Sequence, residues 1–168
     1  MAAEMTEMKD LLKHELGDLL YAEKLFLRGM KKMSKEVADP EVKTRIEEHA
    51  RETESHIDTL NKAFESIGEK PKAEKCDAAI GLIEEHDSFK SDEKPSKSML
   101  EAFVLGSGLR VEHYEIAGYR SAIAIAKVLG ETQCAELLGE NLRQEEEMAK
   151  FLERNAAKVL KRLNAQQA

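Results

Sequence analysis

Proline occurs at only three positions, and this distribution restricts the fold more than any other sequence feature. Pro40, Pro71 and Pro95 separate long stretches that are rich in helix-forming residues. Proline interrupts a helix interior because it lacks an amide hydrogen and clashes with the preceding turn. The chain has no tryptophan and few aromatic residues, and it has no alternating run of β-branched residues of the kind that forms strands. The sequence therefore predicts an all-α fold.

Apolar periodicity and end signals predict four long helices and one short one. The long helices are expected at about 6–37, 41–67, 98–129 and, after Gly130, up to about 163, with the short helix at about 73–89. Gly68 and Gly130 stand just past helix ends, where glycine favours the left-handed conformation that closes a helix. Short turns within each pair of long helices predict an antiparallel four-helix bundle. A single domain over residues 1–168 is expected, with a frayed tail after about 163.

Each long helix carries an apolar seam that is interrupted near its middle by one polar residue. Glu23, Glu112 and Glu145 interrupt the seams of the first, third and fourth long helices. The seam of the second long helix consists of Ile46, Ala50, Thr53, Ile57, Leu60, Phe64 and Ile67. Glu52 and His56 lie at its edge, beside the central Thr53.

These glutamates predict a metal site in the core of the bundle. A single seam glutamate is ordinary, because its aliphatic stem can pack while its carboxylate reaches water. Several carboxylates in a low-dielectric core must share protons, pair with cations or bind a metal ion. The seams contain no lysine or arginine, so metal binding is the sharpest interpretation. Antiparallel packing also places Glu23 level with His56, and Glu112 within one turn of Glu145.

Four segments of the chain resemble the ferritin-like superfamily and, within it, the YciE/YciF-like family of bacterial proteins. They are DLLYAEK (18–24), HARETESH (49–56), KCDAAIGLIEE (75–85) and VEHYEIAGY (111–119). The resemblance covers nearly the whole chain and implies a ferritin-like bundle and an association with bacterial stress. By similarity to bacterioferritin and rubrerythrin, it also implies a ligand set, with iron or manganese as the candidate metals. That set is Glu23, His56, Glu112 and Glu145, and Glu52, one turn before His56, is a further candidate ligand.

Two positions depart from the dinuclear pattern of the superfamily. Glu52 precedes His56 by four residues rather than three, and Thr53 occupies the position three before it. Met148 stands three residues after Glu145, where a histidine is expected, and a thioether is a poor ligand in a carboxylate-rich site. The residues leave three outcomes open: two ions, one ion, or a vestigial polar network in a non-catalytic structural or interaction protein. Oxidase or peroxide-related activity stays open as well, and no substrate follows from the sequence.

The remaining histidines are expected away from the site. His49 lies one position before the second seam and is expected in a partly solvated position. His14 and His86 are interpreted as solvated helix residues. His113 and Glu115 lie beside the third seam, either as partners of the ligands or as ordinary polar residues.

Composition excludes several classes of partner. A net charge of -7 argues against nucleic acid and anionic membranes, because both require a basic surface. The longest apolar run, at 122–126, is far shorter than the roughly 20 residues that span a bilayer. Residues 1–10 show no signal-peptide pattern. Cys76 and Cys134, the two cysteines, are expected as free thiols in a reducing cytoplasm.

The third long helix also predicts a homodimer, because it carries a second apolar seam beside the one used for the bundle. A helix that is apolar on two sides is usually buried on two sides. The short helix could cover this seam instead. Its members are Val104, Gly108, Val111, Glu115, Gly118, Ala122, Ile125 and Leu129.

Overall fold

The computed structural model describes residues 4–166, and within this range the secondary structure consists of five helices without a strand. The helices are α1 (Met8–Met33), α2 (Pro40–Ser66), α3 (Asp77–Asp92), α4 (Lys97–Leu129) and α5 (Thr132–Ala165). The predicted all-α class is confirmed. The α5 helix continues two residues beyond the predicted end, and the last residues of the predicted frayed tail, 167 and 168, lie outside the described range.

The four long helices form a closed bundle. The α1 helix packs on α2 and α4, and α5 packs on α2 and α4, while α3 lies across α1 and α4. Contacts across the bundle give the directions. Lys31 on α1 reaches Glu54 on α2, and Lys158 on α5 reaches Glu41 on α2, so both pairs are antiparallel. The long connection through α3 makes α4 parallel to α2 and antiparallel to α1, so that the end of α1 at Met33 packs near the start of α4 at Val104.

The helix ends follow local chemistry. The Asp39 carboxylate accepts the amide hydrogens of Glu41 and Val42 at the start of α2, a standard N-cap arrangement. Gly68 and Gly130 have φ values of 76° and 75°, as their predicted positions after helix ends require. The α1 helix ends at Met33 rather than at the predicted residue 37, because residues 34–36 form a turn.

The α3 helix begins four residues later than predicted, because the segment before it lies along α1. The Glu74 amide donates to the Gly17 carbonyl at 2.9 Å. A Cβ atom at Gly17 would lie 2.8 Å from the Lys72 carbonyl oxygen, so this approach requires glycine. The Cys76 sulfur accepts the Ala79 amide at 3.2 Å and caps the helix.

The second seam of α4 is buried within the chain itself. Val104, Val111 and Ala122 are almost fully buried, and a Cβ atom at Gly118 would lie 2.9 Å from Leu19 Cδ2 on α1. Coverage by α1 and α3 therefore removes the observation from which the homodimer was predicted. The oligomeric state itself stays a prediction.

Two large apolar clusters occupy the two ends of the bundle. One contains Leu16, Phe64 and Leu138, and the other contains Val42, Leu105 and Leu152. The seam glutamates lie between them, at mid-height. Over residues 4–166, no helix is long and apolar enough to cross a membrane.

Candidate metal centre

Buried carboxylates and imidazoles from all four long helices meet in the middle of the bundle. Two groups of three side chains have ligand atoms within 4.8 Å of one another. The first is Glu23, His56 and Glu145, and the second is His49, Glu112 and Glu145. The five residues are between 0% and 3% exposed, so water does not solvate their charges.

Glu145 belongs to both groups, and each of its oxygens faces a different histidine. Its Oε1 lies 2.8 Å from His56 Nδ1, and its Oε2 lies 3.2 Å from His49 Nε2. Glu23 Oε1 lies 3.3 Å from His56 Nδ1, and Glu112 Oε2 lies 3.3 Å from His49 Nε2. The arrangement has two halves joined by one carboxylate.

Most of these inward-facing atoms lack a hydrogen-bond partner among the described residues, although they lie close together. They are Glu23 Oε2, His49 Nε2, His56 Nδ1, Glu112 Oε2, Glu115 Oε1 and both oxygens of Glu145. Unpaired buried polar atoms are costly, and such groups normally find partners. Seven such carboxylate and imidazole atoms in one region could hold a metal ion.

Each histidine is held from behind by an outer partner. His49 Nδ1 donates to Glu52 Oε2 at 2.8 Å, because a carboxylate can only accept. His56 Nε2 lies 2.6 Å from Gln144 Oε1 and donates to that oxygen. These bonds fix the tautomer of each neutral ring, so the opposite nitrogen presents a lone pair to the cluster once its proton is lost. Metal-binding histidines are typically oriented in this way.

Glu23 is positioned by a chain of polar contacts. The Tyr119 hydroxyl donates to Glu23 Oε1, and Asn141 Nδ2 donates to that hydroxyl at 3.0 Å. Asn141 also donates to the His56 carbonyl at 3.3 Å. The contacts use one oxygen of Glu23 and leave Oε2 facing the cluster.

Glu115 is a further buried carboxylate, one turn after Glu112 on α4. It is 1% exposed, and Oε1 has no hydrogen-bond partner in the described range. Burial raises the pKa of Glu115 well above its ordinary value, and the nearby charges of Glu23 and Glu145 raise it further. The interpretation of Glu115 as an ordinary, satisfied polar residue therefore does not fit, and a place beside the ligands does.

Without a metal, the cluster holds its charges in an unusual pattern. Burial raises the pKa of Glu112. His49 lowers it, Glu145 raises it further, and the resulting pKa is about 8. Burial alone would lower the pKa of His56, but the carboxylates of Glu145 and Glu23 raise it to about 10. Burial would raise the pKa of Glu145, yet His49 and His56 hold it well below the usual range. Protons therefore balance the charge in this state.

The structure brings together Glu23, His56, Glu112 and Glu145 and leaves Glu52 outside. The Glu52 carboxylate contacts His49 Nδ1 and Arg45 Nη1. Its pKa is lowered to about 2, chiefly by the hydrogen bond from His49, against the effect of burial. Glu52 therefore orients the imidazole that faces the cluster.

The solvated position expected for His49 is wrong, since its side chain is fully buried. The predicted seam of α2 is buried except at Ile57, but the buried face is wider than the seam and also includes Val42, His49, His56 and Ala63. Because the predicted seam was drawn through apolar residues, it contained neither histidine. A spacing of seven between His49 and His56, two helical turns, was the available signal.

The structure also shows the positions of two other histidines. His86 is buried rather than solvated, and its Nε2 lies 2.9 Å from Glu36 Oε2. His113 is exposed and faces Glu153 on the surface, so it takes no part in the cluster.

The two residues that depart from the dinuclear pattern have structural roles. Thr53, between the two histidines, donates its hydroxyl to the His49 carbonyl at 3.0 Å. Met148 is 2% exposed and packs among apolar residues at one end of the bundle. The histidines of the cluster thus both come from α2.

Comparison with known proteins identifies the family. The sequence profile of one family, described as "Domain of unknown function (DUF892)", matches residues 7–165. The chain belongs to the DUF892 family. The protein YciF of Escherichia coli K12 is 33% identical over 143 residues, which are 84% of this chain and 85% of YciF.

Solved structures of DUF892-like and ferritin-like proteins share the architecture. YcfI from Rhodopseudomonas palustris has a TM-score of 0.87 at 33% identity, over 91% of this chain and 97% of its own. The E. coli stress protein YciF has a TM-score of 0.86 at 29% identity, over 94% and 99%. Symerythrin from Cyanophora paradoxa has a TM-score of 0.67 at 15% identity, over 95% and 89%. The predicted YciF-like, ferritin-like bundle with an additional short helix is confirmed.

Proposed function

We propose that this DUF892 protein binds two divalent transition-metal ions in the bundle core, with Glu145 as the bridging ligand. Glu23 and His56 complete one half of the site, and His49 and Glu112 complete the other. Imidazole and carboxylate ligands together suit iron or manganese. The observation that carries the proposal is the placement of the two Glu145 oxygens, each against a different histidine.

Charge supports two ions rather than one. Glu23, Glu112, Glu115 and Glu145 would contribute four negative charges when ionised, and the two imidazoles are neutral as ligands. Two divalent cations balance these charges inside a region from which water is excluded. With a single divalent ion, two of these carboxyls would have to stay protonated or remain as uncompensated buried charges, which are costly.

The chain also prepares the site for ions. Glu52 and Gln144 hold the histidines so that lone pairs face inward, which lowers the cost of ordering ligands when a metal binds. The hydrogen bond from the Tyr119 hydroxyl likewise holds the Glu23 carboxylate in place before a metal binds. When bound, a pair of iron or manganese ions supplies redox chemistry toward dioxygen or peroxide.

Stress-associated function is part of the proposal. The support is the sequence relationship to YciF, whose structure is named as that of a stress protein. Both cysteines are free and buried, which supports a reducing, cytoplasmic location.

The test is the metal content of the purified protein and of protein reconstituted with iron(II) or manganese(II). We expect two ions per chain. Glu145→Gln should lose both ions, because the bridge serves both halves, while Glu140→Gln, on the exposed face of the same helix, should retain two. Equal metal content in the two variants would refute the assignment.

The second candidate function is a structural or interaction protein without catalysis. It is favoured by Met148, which fills with an apolar side chain the position where the dinuclear pattern has histidine. Absence of stoichiometric metal under both conditions would support it.

A further inference from the structure

An apolar cavity lies directly against the carboxylate cluster. It has a volume of about 30 Å³ and is lined by side chains from all five helices, including Phe26, Val111 and Met148. Among the described residues that line it, Glu112 alone is charged or polar. The cavity therefore has one end at the candidate metal centre and the rest in the apolar core.

The chemistry of the walls decides what the cavity can hold. Its volume is about twice the 10–15 Å³ that one water molecule needs. A buried water also requires two to four polar partners, and Glu112 offers too few. A cavity of this kind stays dry and binds apolar molecules.

The outer wall of the cavity is formed by residues that are only partly buried. Met30 on α1 and Ile83 on α3 both line it, and both retain partial exposure. Met30 has an unbranched, flexible side chain that adapts its packing readily. Entry of a small molecule between α1 and α3 thus requires rearrangement of side chains rather than of helices.

We propose that this cavity is a binding site for dioxygen, held beside the Glu112 half of the centre. Its size fits a diatomic molecule, its walls favour an apolar one, and its inner end opens on the candidate ligands. Binding in the cavity does not depend on a metal, whereas delivery to the centre rests on the proposed function.

Gly108 offers a matched pair of variants. It lines the cavity, and a Cβ atom there would lie 3.4 Å from Leu152 Cδ1, an ordinary contact. Gly108→Ala therefore fills part of the space with little strain. Gly106→Ala, two residues earlier on α4, adds the same methyl group at an exposed position and serves as the control.

The experiment is the relaxation of methyl protons in the metal-free protein under dissolved dioxygen, which is paramagnetic. We expect the methyl groups of Val111 and Met148 to relax several-fold faster than those of Leu60, which is fully buried in the opposite cluster. Gly108→Ala should remove this excess, and Gly106→Ala should keep it. Equal relaxation at Leu60 and Val111, or an unchanged excess in Gly108→Ala, would overturn the proposal.

Xenon in pressurised crystals gives a second measurement that needs no variant. One xenon site between Phe26, Val111 and Met148 is expected, with or without bound metal. Absence of xenon there would overturn the cavity site while leaving the metal proposal intact. Xenon bound in protein that takes up no metal on reconstitution would overturn the metal proposal while leaving the cavity site intact.

Discussion

The ring centroids of His49 and His56 lie 6.1 Å apart on one face of α2. Both rings face Glu145, each through a different ring nitrogen. His49 uses Nε2 and His56 uses Nδ1. One helix therefore supplies both imidazoles of the candidate centre. The apolar Met148 on α5 is consistent with this distribution, because α5 needs to supply only the bridging carboxylate.

Removal of Glu23 should affect one half of the site only. We expect Glu23→Gln to bind one ion per chain, since His49, Glu112 and Glu145 remain, whereas Glu145→Gln binds none. Anaerobic titration of manganese(II) into metal-free protein would give both stoichiometries. Loss of both ions in Glu23→Gln would show that the halves do not bind separately.

The outer partner of His49 should affect affinity without being a ligand. Glu52→Ala frees the ring to turn away from the cluster, and loss of such a partner typically weakens metal binding by roughly 10- to 100-fold. The number of ions at saturation should stay at two. Glu48→Ala, at an exposed position on the same helix, should bind as the wild type does. A reduced stoichiometry in Glu52→Ala would instead make Glu52 a ligand, as its candidate role in the sequence analysis has it.

Glu112→Gln should have opposite effects on stability with and without metal. In the metal-loaded protein it removes a ligand, and a metal present at 100-fold its dissociation constant contributes about 2.7 kcal/mol to the native state. In the metal-free protein it removes a carboxyl whose ionisation burial opposes, and we expect a higher unfolding temperature. Thermal unfolding of both forms measures the two signs. A decrease in both forms would mean that Glu112 stabilises the fold without metal.

A fourth prediction concerns the contact between α1 and α3, away from the metal centre. Burial would raise the pKa of Glu36, but hydrogen bonds from Lys90 and His86 outweigh it and lower this pKa below its usual 4.5. A carboxyl with a lowered folded-state pKa stabilises the native protein above its unfolded-state pKa. That stabilisation is lost as the pH falls through the folded-state value.

Glu36→Gln should therefore be less stable than the wild type near neutral pH, and the difference should shrink below about pH 4.5. Urea unfolding of both proteins across this range measures the difference. A stability difference that is independent of pH would show that the charge of Glu36 is not involved.

The homodimer stays a fifth prediction. Light scattering at micromolar concentration should give twice the mass of the chain. A monomer would agree with the burial of the second seam of α4 by α1 and α3, and it would refute the prediction.

The sequence predicted the bundle well because helix formation and its ends have strong local causes. Long apolar seams, the Asp39 cap and the left-handed glycines at 68 and 130 act over a few residues each. The start of α3 was predicted less accurately, since it depends on a contact between Glu74 and Gly17 that no local pattern reveals.

The candidate site was predicted in part for the same reason. The glutamates of α1, α4 and α5 were conspicuous because each interrupts an apolar seam. His49 was missed because the buried face of α2 is wider than its apolar seam and includes polar residues that apolar periodicity does not select. The roles of Glu52 and Gln144 depend on side-chain geometry, which spacing alone does not determine.

The most direct test of the dinuclear assignment is an anomalous difference map from crystals grown with manganese(II). We predict two peaks in the bundle core, one between Glu23 and His56 and one between His49 and Glu112, on either side of the Glu145 carboxylate. A single peak, or none among these residues, would contradict the assignment.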